Sequence, residues 1–161
     1  MNPEATIRPT QLNDVPHLVQ LTRETGVFRP LEMETLAEVF ADYFAGASGP
    51  DHHARTLWVG RQIAGFTYFA PAPMTEQTWY LYWIAVAPDQ QGKGYGSLLL
   101  RLAEEEVRGL GGRLLFIETS GLPHYARTRH FYLRHGYEQE ATLRDFYAAG
   151  DDMVVFRKAL R

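Results

Sequence analysis

Residues 80–110 constrain the fold of this chain more than any other stretch. Tyr80-Leu81-Tyr82-Trp83-Ile84-Ala85-Val86 reads as an apolar strand that stops at Pro88. A glycine-rich turn follows, Gln91-Gly92-Lys93-Gly94-Tyr95-Gly96, and Ser97 opens a helix. Leu99, Ala103, Val107 and Leu110 recur on one face of that helix, and Gly109, Gly111 and Gly112 end it. Such a strand, turn and helix make an anion site, because the first amides of a helix lack intrahelical partners and point out of its positive end. Glycines there remove the Cβ atoms that would hold a pyrophosphate away from the backbone, and they tolerate the φ angles of a tight loop. Lys93 adds a mobile positive charge.

The spacing narrows the choice of phosphate ligand. A P-loop needs four residues between its first glycine and a Gly-Lys-Ser/Thr, which is absent. A dinucleotide fingerprint needs glycine at the first, third and sixth positions, and the sixth counted from Gly92 is Ser97. A second strand nevertheless ends in Glu118, roughly where a ribose-binding acid would fall. An NAD-binding redox protein therefore stays open, although the chain holds only one such strand-helix-strand unit.

Three blocks together carry a family resemblance: Gln91-x-x-Gly94-x-Gly96, the preceding Ile84-Ala85-Val86-Ala87-Pro88, and Phe131-Tyr132-Leu133-Arg134-His135-Gly136-Tyr137. Their order and distances, over most of residues 56–160, resemble the GNAT N-acyltransferase superfamily. The resemblance implies an α/β (α+β) fold, a mixed and bent sheet with helices on both faces. It implies acetyl-CoA as acyl-donor cosubstrate, with Gln91, Gly92, Lys93, Gly94, Tyr95, Gly96 and Ser97 at its pyrophosphate. Backbone donors near Ile84, Ala85 and Val86 would polarise the acyl carbonyl and pair with the pantetheine arm. Two positions depart from the family pattern. Tyr80 stands where many members carry a glutamate, and Tyr125 where the last block often begins with asparagine.

Composition sets the outer bounds. A chain of 161 residues with 45% hydrophobic and 13% aromatic content reads as a single ordered domain, 1–161. A net charge of −3 gives no electrostatic footprint for nucleic acid. No apolar run is long enough to span a membrane and no signal-like segment opens the chain, so a cytoplasmic protein is expected. The absence of cysteine removes any acyl-thiol intermediate and favours direct transfer. His52-His53 falls in a polar loop and reads as solvent-exposed rather than metal-binding, and no metal is expected. Family members are often dimers, so a homodimer is an expectation of the resemblance alone.

Taken in order, the pattern predicts a strand at Thr6–Arg8 and a helix capped by Asn13 or Asp14 with Pro16 in its first turn. A second helix follows from Pro30 to Phe44. Strands are expected at Leu57–Gly60, Ile63–Ala70, Arg113–Ile117, Tyr137–Tyr147 and Met153–Leu160, with a helix from Pro123 to His135 between the third and fourth of these. Glu104, Glu105 and Glu106 read as a solvated helix face.

Transfer to an amine needs a base for the amine proton, a donor for the developing oxyanion and a proton for the departing thiolate. The resemblance makes Tyr132 the acid at the sulfur; its other reading is a core tyrosine with a bonded hydroxyl, and Phe131 beside it is assigned to packing. Glu118, at a strand end, is the candidate base, or else a carboxylate making structural hydrogen bonds. Phe28, Tyr80, Tyr82 and Asp145 are candidates for the acceptor side, although an aromatic strand is more often core. Asp151 and Asp152 fit turn chemistry better than cation binding. The expected activity is N-acetylation of a primary amine on a small molecule or peptide, and the alternative is an acyl-CoA sensor without turnover.

Overall fold

The computed structural model describes residues 3–161. Its elements are β1 (Ala5–Pro9), α1 (Val15–Glu24), α2 (Pro30–Ala45), β2 (His53–Val59), β3 (Gln62–Pro71), β4 (Thr78–Val86), α3 (Tyr95–Gly109), β5 (Leu114–Ser120), α4 (Ala126–Arg134), β6 (Glu138–Ala148) and β7 (Asp151–Ala159). The seven strands form one mixed sheet in the order β1-β2-β3-β4-β5-β7-β6. The β4/β5 pair is parallel, and α3 supplies the crossover that a parallel pair requires. The chain divides into two compact units, one running up to Ala70 together with Trp83–Ala103, the other Pro71–Tyr82 with Glu104–Arg161. No helix among the described residues is long and apolar enough to cross a membrane.

In the first unit, two amphipathic helices cover strand residues. Leu18 and Leu21 of α1 and Met33, Leu36 and Phe40 of α2 form one core with Ala54, Phe66, Tyr68, Ala85 and Ala87. The start of α1 differs from the expected cap. A short 3-10 turn, Leu12–Asp14, precedes it, and the Asp14 carboxylate accepts from the Gln11 amide at 2.9 Å and the Thr56 hydroxyl at 3.1 Å. Gly65 is required by a close approach, because a Cβ there would lie 2.6 Å from the Ala85 carbonyl oxygen. The polar loop also proves shorter than expected, since β2 begins at His53. His52 is half-buried, with Nδ1 2.7 Å from the Tyr68 hydroxyl, and His53 stacks on Phe69 at 5.3 Å. The solvent-exposed reading of this pair is therefore corrected: the strand pulls both rings against aromatic neighbours.

The second unit corrects the reading of the acidic run on α3. Glu105 faces solvent, but Glu104 is buried, accepting from the Tyr137 hydroxyl at 2.7 Å and pairing with Lys158 at 2.9 Å. Lys158 Nζ also donates to the His135 carbonyl at 2.8 Å. Burial and the adjacent Glu104 carboxylate both push the Tyr137 hydroxyl pKa upward, so it stays protonated as a donor. Leu110, expected on the buried face, is 50% exposed because α3 ends at Gly109.

Candidate active site

The glycine turn in the first unit is built as an open backbone cradle. Gln91 Nε2 donates to the Val86 carbonyl at 3.1 Å, tying the turn to the end of β4. Gly92 and Gly94 hold left-handed φ of 77° and 87°, and nothing lies within 4 Å of a Cβ built on either. The helix begins at Tyr95, two residues before its expected start, with a first bond from the Leu98 amide to the Gly94 carbonyl at 3.1 Å. The amides of Gly92, Lys93, Gly94, Tyr95 and Gly96 make no hydrogen bond among the described residues. Lys93 is exposed, its Nζ 3.3 Å from Gln90 Oε1. Successive unpaired amides on a left-handed turn at a helix N-terminus form an anion-binding concavity. Just upstream in β4, Ala85 is buried while Ile84, Val86 and Trp83 are half-buried. Phe28 packs against Trp83, ring centroids 5.5 Å apart, a pairing that a scan for local motifs passes over.

In the second unit β5 pairs with β4 only through Thr78↔Leu114, Trp79↔Leu115 and Tyr80↔Phe116, whereas its ladder with β7 continues to Ser120. Side chains alternate along a strand, so this register brings Tyr80 and Tyr82 of β4 onto the same face as Phe116 and Glu118 of β5. The Tyr80 ring lies 5.3 Å from that of Tyr82 and 6.2 Å from that of Phe116. The Tyr80 hydroxyl donates toward the Glu118 carboxylate. Desolvation by these neighbours raises the Glu118 pKa, and the Tyr80 hydrogen bond opposes part of that rise. Glu118 nevertheless keeps a solvent-accessible side chain, as does Tyr82 at 48% exposure. Phe116 was not singled out in the sequence; its place two residues before Glu118 on the strand was the available signal.

Tyr132, on α4, is 3% exposed and packs against Phe131, Tyr137 and Phe156 at 5.4, 5.8 and 5.6 Å between centroids. The ring is a core ring, yet its hydroxyl takes no hydrogen bond among the described residues. Burial raises its pKa, which keeps the proton on the oxygen. Tyr125, at the asparagine position, is buried immediately before α4.

The aspartates of the β6/β7 hairpin all make hydrogen bonds within the chain. Asp145 has a φ of 57°, its amide donates to Asp152 Oδ1 at 2.9 Å, and its own Oδ1 accepts from Gly150 at 2.8 Å. These are turn contacts at the tip of the β6/β7 hairpin. Asp151, read as a loop residue, is instead a buried strand residue hydrogen-bonded to Ser120 Oγ. Arg129 then binds the Ser120 and Leu122 carbonyls at 2.8 and 2.9 Å, fixing the turn that leads into α4. Among the described residues no three His, Cys, Asp or Glu side chains cluster as a metal site would require.

The sequence model of the acetyltransferase (GNAT) family matches residues 17–137. No curated protein matches the chain. Among solved structures, a protein of Desulfovibrio desulfuricans described as a GNAT-family acetyltransferase is 38% identical, with 98% of this chain and 100% of that one covered and a TM-score of 0.91. The ribosomal-protein-S18-alanine N-acetyltransferase of Escherichia coli is 22% identical over 98% of this chain and 94% of that one, with a TM-score of 0.74. The PaiA N-acetyltransferase of Thermoplasma acidophilum, in complex with coenzyme A, is 16% identical over 97% and 99%, with a TM-score of 0.74. At those two lower identities the likeness is one of fold.

Proposed function

Because the chain belongs to the GNAT family of acetyltransferases, we propose that it transfers an acetyl group from acetyl-CoA directly to a primary amine. The observation that carries the donor is the run of unpaired amides from Gly92 to Gly96, with open space over Gly92 and Gly94. These amides, Lys93 and the positive end of α3 suit the two charges of a pyrophosphate. Coenzyme A in the Thermoplasma relative supports the same choice. Gln91 also holds the turn in shape through its bond to the Val86 carbonyl.

The remaining roles fall to a few groups. Backbone amides near Ile84, Ala85 and Val86 donate to the thioester oxygen as negative charge gathers on it. Glu118 accepts a proton from the amine, which would otherwise stay charged below a pKa of about 10. The amine nitrogen bonds to the acetyl carbon, the C–S bond breaks, and the second proton that the nitrogen sheds passes to the departing sulfur, which accepts a hydrogen bond from the Tyr132 hydroxyl. Since burial strengthens the hold of Tyr132 on its proton, its contribution is a hydrogen bond that tightens as charge develops on sulfur. Within the first unit, Phe28 and Trp83 pack together as an apolar surface.

Titration with acetyl-CoA, CoA and NAD, followed by thermal unfolding, tests the donor. Acetyl-CoA and CoA are expected to stabilise the protein, by about 2.7 kcal/mol at a hundredfold excess over Kd, and NAD to leave it unchanged. Stabilisation by NAD alone, or by none of the three, overturns the proposal. Gly94→Ala places a side chain where φ is 87° and relaxes the turn, so CoA affinity should fall about tenfold while the fold persists.

The pH profile tests Glu118. A base must be ionised, and the Glu118 pKa is raised above its ordinary 4.5, so kcat/KM should decline as pH falls through a value higher than a free carboxylate's. Tyr80 and Tyr82 are the titratable groups coupled to it, and both remain neutral across that limb because their own pKa values are raised. In Glu118→Gln the limb should vanish together with most of the activity. Retention of the same limb would assign it to another group.

A further inference from the structure

The face shared by Tyr80, Tyr82, Phe116 and Glu118 has an unbalanced charge. Glu104, a buried carboxylate of this unit, is matched by Lys158, but Glu118 forms no ion pair among the described residues. Its neighbours are aromatic rings with centroids 5.3 and 6.2 Å apart, and one of them, Tyr82, is open to solvent. Aromatic faces attract cations, and an unpaired carboxylate beside them attracts the same ligand more strongly. We propose that the acceptor binds here as a monoammonium ion carried on an apolar, aromatic body, the class of arylalkylamines. The inference rests on the acetyltransferase reading and names the substrate class of that site.

Several features select one charge over many. A single carboxylate can compensate a single ammonium group, and further ammonium groups would lose water without gaining a partner. A free amino acid fits poorly too, because its own carboxylate would approach Glu118. The body of an arylalkylamine stacks on the accessible ring of Tyr82. Tyr80 acts as a positioning residue, its hydroxyl orienting the carboxylate toward the ammonium group.

The same arrangement provides for release. When Glu118 takes the proton, R–NH3+ and carboxylate become R–NH2 and carboxylic acid, and the ion pair is gone. Acetylation then yields a neutral amide, which no longer draws on the rings as a cation.

Steady-state acetylation of 2-phenylethylamine, spermidine and kanamycin by the full chain with acetyl-CoA tests the proposal. The expected result is a kcat/KM for 2-phenylethylamine at least about tenfold above the other two. Tyr82→Ala should raise KM for 2-phenylethylamine about tenfold, and Tyr82→Phe, which keeps the ring, should raise it several-fold less than Tyr82→Ala does. As a measurement that needs no variant, neutral 2-phenylethanol should inhibit at least about tenfold more weakly than 2-phenylethylamine binds. A preference for spermidine or kanamycin, or a KM indifferent to Tyr82→Ala, overturns the substrate class while leaving the transferase intact. Acetyl-CoA binding with no transfer to any amine overturns the transferase reading and this inference with it.

Discussion

Tyr132→Phe is expected to lower kcat by about a hundredfold to a thousandfold, the usual contribution of one hydrogen-bond donor to a developing negative charge, while leaving the melting temperature almost unchanged. The two effects separate because the ring and the hydroxyl do different things. The ring fills a core position among Phe131, Tyr137 and Phe156, and phenylalanine fills it equally well. The hydroxyl bonds to no described residue, so its removal costs the fold little. Its function lies at the leaving sulfur, where charge grows only as the C–S bond breaks. KM for the amine and the stabilisation by CoA should therefore stay as in wild type. Turnover and melting curves measured side by side decide the matter: an unchanged kcat would return Tyr132 to a purely packing role.

Glu104→Ala should destabilise the protein by about 3 kcal/mol, because it leaves a buried hydroxyl and a partly buried ammonium without their acceptor. Tyr137 is 3% exposed and loses its 2.7 Å bond outright. Lys158 keeps the His135 carbonyl and has a side chain 25% exposed, which holds the cost toward the lower end for a broken buried pair. For a chain of this size that corresponds to a melting temperature lower by about 10 °C. Glu104→Gln, whose amide oxygen still accepts from Tyr137, should fall between the two. A loss under about 1 kcal/mol in denaturant unfolding would mean that water reaches the site and satisfies both groups.

The parts of this protein that were legible in the sequence are those set by local geometry. The turn from Gly92 to Gly96 could be read because left-handed φ values select glycine and unpaired amides follow wherever a helix begins. Helices α1 and α2 were recognisable from apolar residues recurring every three to four positions, and β6 and β7 from β-rich runs around Gly150. The family match across residues 17–137 spans the same short blocks.

What tertiary structure alone decided are contacts between residues far apart in the chain. Within Glu104-Glu105-Glu106 nothing local distinguishes the buried acid from the solvated one. The distinction comes from Tyr137 and Lys158, 33 and 54 residues away, which supply the hydrogen bond and the charge that burial demands. Asp151 looked like turn chemistry until β5 brought Ser120 beside it. The wall around Glu118 depends on the register Tyr80↔Phe116, and a slip of one residue would send both tyrosines to the opposite face. Spacing along the chain thus determined where the backbone could hold an anion, because φ preference and hydrogen-bond vacancy are properties of neighbouring residues. Which side chains share a face, and hence which carboxylate is buried and paired and which stays open, was decided by strand pairing and burial, whose energies exist only once distant segments meet.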